Sequence, residues 1–481
     1  MKAHVNFLSI ACLLPLLLLS ACLPVKDSDF EPTRAETVPT VSTKIVSTPA
    51  NGALLYGKET LTYWQTRYSD STRKIYEIGF LPYLSPVEKE VLADVQIQFP
   101  LTGESIYEND PTAFYSLSEE SVVVMPVLSL KFLDDLSTAY AWLWHNGYEL
   151  ETVTDYVSML KYQPETFRAG HFPPPLTALH IPEDALSNPE VDALALGFFN
   201  EARALILAHE LGHILYGHDG GSAISTNESQ KQEHEADAFA LDLMIRTATQ
   251  PMGAYLYFFT RAHWDSNLGD FNNDPQAWQA YLDEATHPLT AYRMALMAEK
   301  LSQSAELMAI GKPNPVAETE TTLFIAEGMK DIAEMLEDPE ISLSIRLKGQ
   351  ATDVAFLAPR YSGQRPCDSV DILTRSDTIA FDGLHVVDYI RYLPDAGSET
   401  LPMCLLLNRN GDSVNGYFMF DLGEGSIVGQ VVGEILVFQW QWGSFSGKGF
   451  LESKDNGNTI VGEWGYEQAT EGGGQWIGKR S

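Results

Sequence analysis

The spacing of apolar residues changes once along the chain, near residue 345, and this change constrains the fold class. Before it, apolar residues recur at helical spacing, most clearly over 139–160, 198–215 and 318–337. After about 348, short apolar segments alternate with glycines and hairpin dipeptides such as Asn410-Gly411. The sequence therefore predicts an α+β chain. A mainly helical domain with a small sheet is expected first, followed by an antiparallel β domain of barrel or sandwich type.

The first 22 residues have the pattern of an export signal. Lys2 precedes an apolar run from Phe7 to Leu19, and Ala21-Cys22 follows soon after. An apolar stretch of this length is too short for a permanent membrane-spanning helix and is typical of a signal peptide. Its ending resembles the bacterial lipoprotein signal, which implies that Cys22 carries lipid. The alternative is an ordinary secretory signal that contains a cysteine by chance.

The stretch after this signal is rich in Pro, Thr and Ser and has no helical period. Such a stretch is expected to form an extended tether between a lipid anchor and a folded domain. Leu23 stands where an Asp in Gram-negative lipoproteins favours retention in the inner membrane. We therefore expect a lipid-anchored protein of the bacterial cell envelope. Its expected place is the outer membrane, at the periplasmic face or the surface, more than the inner membrane.

The charge balance of the chain argues against one class of partner. The chain has 31 Lys and Arg against 65 Asp and Glu, a formal net charge of −34 at pH 7. Because this excess of carboxylates repels phosphate groups, we expect no nucleic-acid partner. The hydrophobic content of 45% excludes a disordered chain.

Cysteine usage excludes two classes of scaffold. Only four cysteines are present, and Cys12 and Cys22 lie in the signal region, so a disulfide-rich scaffold and an all-cysteine zinc site are both excluded. Cys367 and Cys404 lie in the β region, where export permits a disulfide between them. Two buried thiols are the alternative.

The candidate chemistry lies at His209-Glu210-Leu211-Gly212-His213, inside a helical pattern. Two histidines four positions apart share one helix face and can bind one metal ion. The glutamate between them lies beside that ion, where it can take a proton from water. Because the motif also arises by chance, a further ligand is needed to support the interpretation.

A second helical pattern, from about 228 to 245, offers this ligand. Glu233 and Asp237 are four positions apart and share a face. They resemble the gluzincin pattern Glu-x-x-x-Asp, which implies that Glu233 binds zinc. The resemblance also implies that Asp237 hydrogen-bonds the far nitrogen of a ligand histidine. His234 and Glu235 are the alternative ligands, and the offsets of the following residues favour Glu233.

His218 lies near the predicted end of the first helix. A structural role is expected for it, because a fourth protein ligand would close the metal to water.

One further stretch extends the resemblance to a family. Beyond the glutamate ligand the chain has Thr286-His287-Pro288 and then Arg293. With the two zinc-helix patterns, these residues resemble the CAAX prenyl protease and HtpX peptidase family over about 120–305. The resemblance implies a zincin-like domain in which His287 and Arg293 reach the active site and stabilise the oxyanion. It also suggests strand 122–126 as the edge that holds an extended substrate. A Pro-started helix with a surface arginine is the alternative.

The predicted function is a zinc metalloendopeptidase of cell-envelope polypeptides. His209, His213 and Glu233 are expected to hold one Zn²⁺ per chain, and Glu210 to act as general base on the zinc-bound water. The alternative is a non-catalytic envelope binding or assembly lipoprotein with a zinc-stabilised core.

The same patterns divide the chain into four expected segments. These are a lipoprotein signal peptide (1–21), a flexible tether (22–50), a zinc metallopeptidase domain (51–340) and a β-rich C-terminal domain (345–481).

Overall fold

The computed structural model describes residues 55–102, 110–164, 172–218, 226–271, 274–284, 289–351, 359, 380–392, 397–420, 423–442 and 445–480. These residues divide into two compact units, which are described separately. One is mainly helical with a three-stranded sheet, and the other is an eight-stranded antiparallel barrel. The predicted fold class is confirmed, and the C-terminal β region is a barrel. The expected signal peptide and tether, with Cys22, lie outside the described residues, and the four segment boundaries stay predictions.

The helices come mostly before the change of pattern near residue 345. A π-helix at Ile75–Phe80 and 3₁₀ turns at Leu81–Tyr83, Ala185–Ser187 and Leu268–Phe271 connect some of them. The α-helices are α1 (Lys58–Lys74), α2 (Pro86–Leu92), α3 (Val127–His145), α4 (Glu151–Tyr162), α5 (Pro175–Ala178), α6 (Pro189–Tyr216), α7 (Thr226–Arg246), α8 (Met252–Trp264), α9 (Pro275–Glu284), α10 (Ala291–Met308), α11 (Pro315–Glu337) and α12 (Pro339–Ala351). Among the helices that the structure describes, none is long and apolar enough to cross a membrane.

The sheet of the helical unit has three short strands, β1 (Gln96–Gln98), β2 (Tyr115–Leu117) and β3 (Val122–Val124). Their order is β1-β3-β2, with β3 parallel to β1 and antiparallel to β2. Since β3 is paired on both sides, its backbone groups are occupied and it cannot receive a substrate strand. The interpretation of this segment as the substrate-binding edge was therefore wrong. Among the described strands, β2 and β1 are the edges of this sheet.

Local sequence signals set the two ends of α6, the helix that contains the His-Glu-x-x-His motif. At its start, the Asn188 side chain accepts a hydrogen bond from the Glu190 amide at 2.9 Å, and Pro189 occupies the first turn. At its end, Gly217 adopts the left-handed conformation with φ +62°. The helix therefore ends three residues after His213 and keeps both histidines within regular helical geometry.

The barrel follows from strict alternation of buried and exposed side chains. Along β8, Leu436, Phe438, Trp440 and Trp442 are buried while the residues between them are exposed. Its strands close in the order β10-β11-β4-β5-β6-β7-β8-β9, which leaves no open edge. They are β4 (Gly383–Tyr392), β5 (Ser398–Asn410), β6 (Ser413–Phe420), β7 (Gly423–Val432), β8 (Ile435–Trp442), β9 (Phe445–Lys454), β10 (Thr459–Tyr466) and β11 (Gly474–Arg480).

Large aromatic side chains fill the interior of the barrel, and glycines on neighbouring strands make room for them. Gly447 stands opposite Trp440, and a Cβ atom on this glycine would lie 2.7 Å from the indole ring. Trp464 and Trp476 belong to the same buried core. Cys404 is buried on β5, while Cys367 lies outside the described residues, so the predicted disulfide stays a prediction.

Candidate metal centre

Two packed helices bring the predicted ligands together. His209, Glu210 and His213 lie on α6, and Glu233 lies on α7. The helices touch at Gly212, where an added Cβ atom would lie 2.9 Å from the Cα atom of Ala236. A side chain at residue 212 would therefore push α7 away, together with the glutamate that it carries.

The ligand atoms converge at distances that suit a metal ion. The Nε2 atoms of His209 and His213 are 3.1 Å apart. The Glu233 carboxylate lies 3.3 Å from His213 Nε2 and 3.6 Å from His209 Nε2. Ligands at about 2.0–2.1 Å from a tetrahedral ion are separated by about 3.3 Å, so these residues fit such an ion. Within the described part of the chain, no other group of His, Cys, Asp and Glu has this geometry.

The far nitrogen of His209 is fixed by a carboxylate. His209 Nδ1 lies 2.9 Å from Asp237 Oδ1, so Nδ1 carries the proton and Nε2 turns its lone pair towards the cluster. Burial works against a charged imidazole, but the hydrogen bond that His209 donates to Asp237, together with the charges of the nearby carboxylates, outweighs burial and raises the pKa of His209. The structure thus places Asp237 where the sequence analysis predicted a partner for a ligand histidine.

The far nitrogen of His213 is fixed by a second histidine. His213 Nδ1 and His218 Nδ1 are 2.9 Å apart, and His218 Nε2 lies 3.0 Å from Glu235 Oε2. For His213 to present a lone pair at Nε2, its Nδ1 must donate to His218, which then donates to Glu235. Burial lowers the pKa of His218, which favours the neutral ring that can accept this bond. The sequence predicted a structural role for His218 but not its partners, and it did not indicate this role for Glu235.

Arg293 joins the two carboxylates of α7. Its Nη1 lies 2.9 Å from Glu233 Oε2, and its Nε lies 2.9 Å from Asp237 Oδ2. Burial alone would raise the pKa of Asp237, but the guanidinium and the histidine hold this pKa below its usual range. Thr290 caps α10 by accepting a hydrogen bond from the Arg293 amide at 3.2 Å, which fixes the position of Arg293 in the first turn of the helix. Arg293 also lines the cleft beside the cluster.

A cleft of about 550 Å³ opens beside the cluster and contains His209, Glu210 and Glu233 in its wall. The Glu210 carboxylate is buried, and no described residue hydrogen-bonds its Oε2 atom. A buried acceptor without a protein partner costs free energy unless water or a ligand satisfies it. Much of the remaining wall is aromatic: Phe114, Tyr115, Tyr257, Phe258, Trp264, Trp278 and Tyr281.

The structure therefore brings together five of the residues singled out from the sequence motifs: His209, Glu210, His213, Glu233 and Asp237. It places Arg293 against the two acidic members of this group. His287 lies outside the described residues, so its predicted role stays a prediction. The oxyanion role of Arg293 likewise stays a prediction.

Residues 149–310 match the family model described as Peptidase U49. The matched segment includes helices α6, α7 and α8 and therefore every residue of the His209, His213 and Glu233 cluster. No curated protein and no solved structure matches the chain significantly. The family description indicates a peptidase, and the cluster is a plausible site for a metal ion of unknown identity.

Proposed function

We propose that the helical unit is a zinc-dependent endopeptidase domain. The Peptidase U49 match over residues 149–310 supports peptide bonds as the substrate class. The observation that carries the proposal is the position of Glu210. Its unsatisfied carboxylate oxygen is buried in the cleft wall that it shares with the ligand cluster. A cluster that only stabilised the fold would not need an acceptor of this kind.

Each residue of the site then has a defined task. His209, His213 and Glu233 would hold one zinc ion per chain, since two imidazoles and a carboxylate suit zinc. When bound, the ion supplies Lewis-acid polarisation of a carbonyl and makes water more acidic. Glu210 takes the proton of the attacking water as oxygen adds to the carbonyl carbon. It then passes that proton to the leaving nitrogen as the C–N bond breaks.

The edge strand β2 is the proposed guide for the polypeptide. Phe114 and Tyr115 line the cleft, and Tyr115 begins β2, which is an edge among the described strands. An extended peptide can add to such an edge through main-chain hydrogen bonds while its side chains enter pockets. The proposed substrate-binding edge is therefore β2, whereas the family resemblance suggested strand 122–126.

The cleft favours large apolar side chains. Its wall is largely aromatic, and the two arginines on it are already paired, Arg261 with Asp265 at 2.8 Å and Arg293 with Asp237 at 2.9 Å. Among the described residues of the cleft wall, an acidic substrate side chain would therefore meet no arginine or lysine that lacks a carboxylate partner. We propose that the enzyme cleaves beside aromatic or large aliphatic residues.

We also propose that the protein acts on polypeptides of the cell envelope from a lipid anchor at Cys22. The apolar segment before Cys22 supports this proposal. The Cys22→Ser variant should be unprocessed or released from membranes. Unchanged partitioning of this variant into detergent would contradict the anchor, and it would leave the proposed peptidase chemistry unaffected.

The Glu210→Gln variant of the full-length chain tests the proposed function. We expect the wild type to degrade unfolded casein in a metal-dependent manner. The variant should keep its zinc, measured by mass spectrometry of the metal, and lose this activity. Glu306→Gln, an exposed change on α10, is the matched control and should behave as wild type. A wild type that binds zinc without cleaving would favour the alternative of a non-catalytic binding lipoprotein. Activity retained by Glu210→Gln would instead refute Glu210 as the general base.

A further inference from the structure

Tyr257 is a polar group of the cleft wall that the reaction described so far does not use. It lies on α8, and it lines the cleft together with His209 and Glu210. Its ring is half-buried and meets the ring of Phe114 edge-on, with centroids 6.5 Å apart. The ring is therefore held in the wall of the cleft that contains the candidate site.

Arg261, one turn further along α8, donates a hydrogen bond to the oxygen of this hydroxyl. Arg261 Nη1 donates to Tyr257 Oη at 3.1 Å. The other side of the guanidinium is held by Asp265, with Nε and Nη2 each donating to a carboxylate oxygen at 2.8 Å. Lys161 in turn donates to the main-chain carbonyl of Asp265 at 2.6 Å. The arginine is thus held between Tyr257 and Asp265, and Lys161 in turn holds the backbone of Asp265.

This arrangement leaves the hydroxyl hydrogen of Tyr257 available to a group that binds in the cleft. Because the Tyr257 oxygen accepts from a cation, the hydroxyl becomes a stronger donor, as in other polarised hydrogen-bond chains. Within the described residues, nothing accepts a hydrogen bond from this hydroxyl. Burial raises the pKa of Tyr257, although Arg261 acts in the opposite direction, so the group keeps its proton at neutral pH.

We propose that the Tyr257 hydroxyl donates a hydrogen bond to the carbonyl oxygen of the scissile peptide as negative charge develops there. This inference rests on the proposed peptidase function. No proton is transferred in the step: the electron pair of the C=O bond moves onto oxygen as water adds, and Tyr257 keeps its hydrogen. Arg261 is a positioning residue, which orients and polarises the hydroxyl. A donor fixed before the reaction stabilises the transition state without reorganisation.

The Tyr257→Phe variant tests the proposal because it removes one oxygen atom and keeps the ring. We expect kcat to fall about a hundredfold, since this is the usual cost of losing one oxyanion donor. KM and zinc content should stay within a factor of about two, because the hydrogen bond forms only as charge develops. Tyr255→Phe is the matched control on the same helix. The Tyr255 hydroxyl is buried and has no partner among the described residues, so its removal should leave turnover unchanged.

A second measurement does not depend on turnover. A phosphinic peptide copies the tetrahedral geometry and charge of the intermediate, and calorimetry reports its affinity. Tyr257→Phe should weaken this affinity by about the same factor as it lowers kcat/KM, while Tyr255→Phe should not. A purely structural role for Tyr257 would change the affinity of the phosphinic peptide and of the substrate alike.

Arg261→Lys supplies the second variant. It keeps the charge but cannot bind Asp265 through two nitrogens and Tyr257 through a third. Its kcat should fall, and it should fall no further when Tyr257→Phe is added, because both changes remove one interaction. Independent, additive losses would overturn the positioning role. Wild-type turnover by Tyr257→Phe would overturn the proposal, whereas a wild type without metal-dependent cleavage would instead refute the proposed function.

Discussion

Arg293 forms a two-point ion pair with Asp237, with Nε 2.9 Å from Oδ2 and Nη2 3.0 Å from Oδ1. The same aspartate accepts from His209 Nδ1, and the third guanidinium nitrogen lies 2.9 Å from Glu233 Oε2. One buried cation therefore connects a candidate ligand carboxylate to the group that orients a candidate ligand histidine. This connection makes Arg293 part of the support for the metal centre, whatever else it does in the cleft.

The Arg293→Leu variant should therefore lose stability and metal affinity together. It would leave two carboxylates buried without their cation, a change that typically costs about 3–5 kcal/mol. Urea unfolding and competition with a chelating dye measure the two quantities, and Arg293→Lys should recover part of each. A variant that is instead stable, zinc-loaded and slow would support the oxyanion role that the family resemblance implies for this arginine.

His218→Phe tests the hydrogen-bond chain from His213 through His218 to Glu235. Without the acceptor at His218, the His213 ring can rotate or take the wrong tautomer. Losing such a partner typically weakens metal affinity by roughly 10–100-fold. Competition with a chelating dye at fixed pH measures this change. The control is His234→Phe, because His234 is exposed on α7. Equal zinc affinity in the two variants would contradict the role of His218.

The sequence was most informative where the site depends on local geometry. The spacing within α6 places His209 and His213 on one face, and the spacing within α7 does the same for Glu233 and Asp237. The order of strands in the small sheet depends on long-range pairing. A run of three valines at 122–124 indicates only a buried strand, and it does not reveal whether that strand is central or at an edge.

Other features depend on contacts that no local pattern reports. Tyr257 and Arg261 are one turn apart on α8, but the side of the helix that faces the cleft is decided by the packing of the other helices. A closed barrel and a sandwich also share the same alternation of buried and exposed residues. The sequence therefore left these two forms open for the C-terminal β region.

Gly212→Ala tests whether the close approach of α6 and α7 sets the metal geometry. The new methyl group would lie 2.9 Å from the Cα atom of Ala236, so the two helices must separate. Overpacking of this kind costs about 1–3 kcal/mol. The higher helix propensity of alanine offsets about 1 kcal/mol of this cost. We expect zinc affinity to fall more clearly than thermal stability. Unchanged zinc affinity, measured by dye competition, would show that the helices tolerate the extra atom.

Trp278→Ala tests the proposed preference for large apolar side chains. Trp278 lines the cleft and stacks on Tyr281, with centroids 5.3 Å apart. Its loss should raise KM about tenfold for peptides with an aromatic residue beside the cleaved bond, because apolar contact area is lost. Peptides with alanine there should be little affected. Trp142→Ala, which removes a similar stacked tryptophan that does not line this cleft, is the control. An equal effect on both peptides would contradict the preference.

Glu201 should make the stability of the helical unit depend on pH. Its carboxylate accepts from the Gly253 amide at 2.9 Å, and burial, opposed by that hydrogen bond and increased by Glu318, raises its pKa to about 8. Between the ordinary glutamate pKa of 4.5 and about 8, the folded state keeps a proton that the unfolded state releases. Glu201 therefore makes its full contribution to the free energy of unfolding below pH 4.5, and this contribution is lost as the pH rises through 8.

The Glu201→Gln variant lacks this titration, so its stability relative to wild type should rise between pH 5 and pH 9. The slope of the difference is at most about 1.4 kcal/mol per pH unit. Urea unfolding followed by circular dichroism at 222 nm reports mainly the helices. Glu306→Gln, an exposed change on α10, should instead run parallel to wild type. If the free energy of unfolding of Glu201→Gln also changes with pH in parallel with that of the wild type, Glu201 ionises at an ordinary pH in the folded protein. Its raised pKa is then refuted.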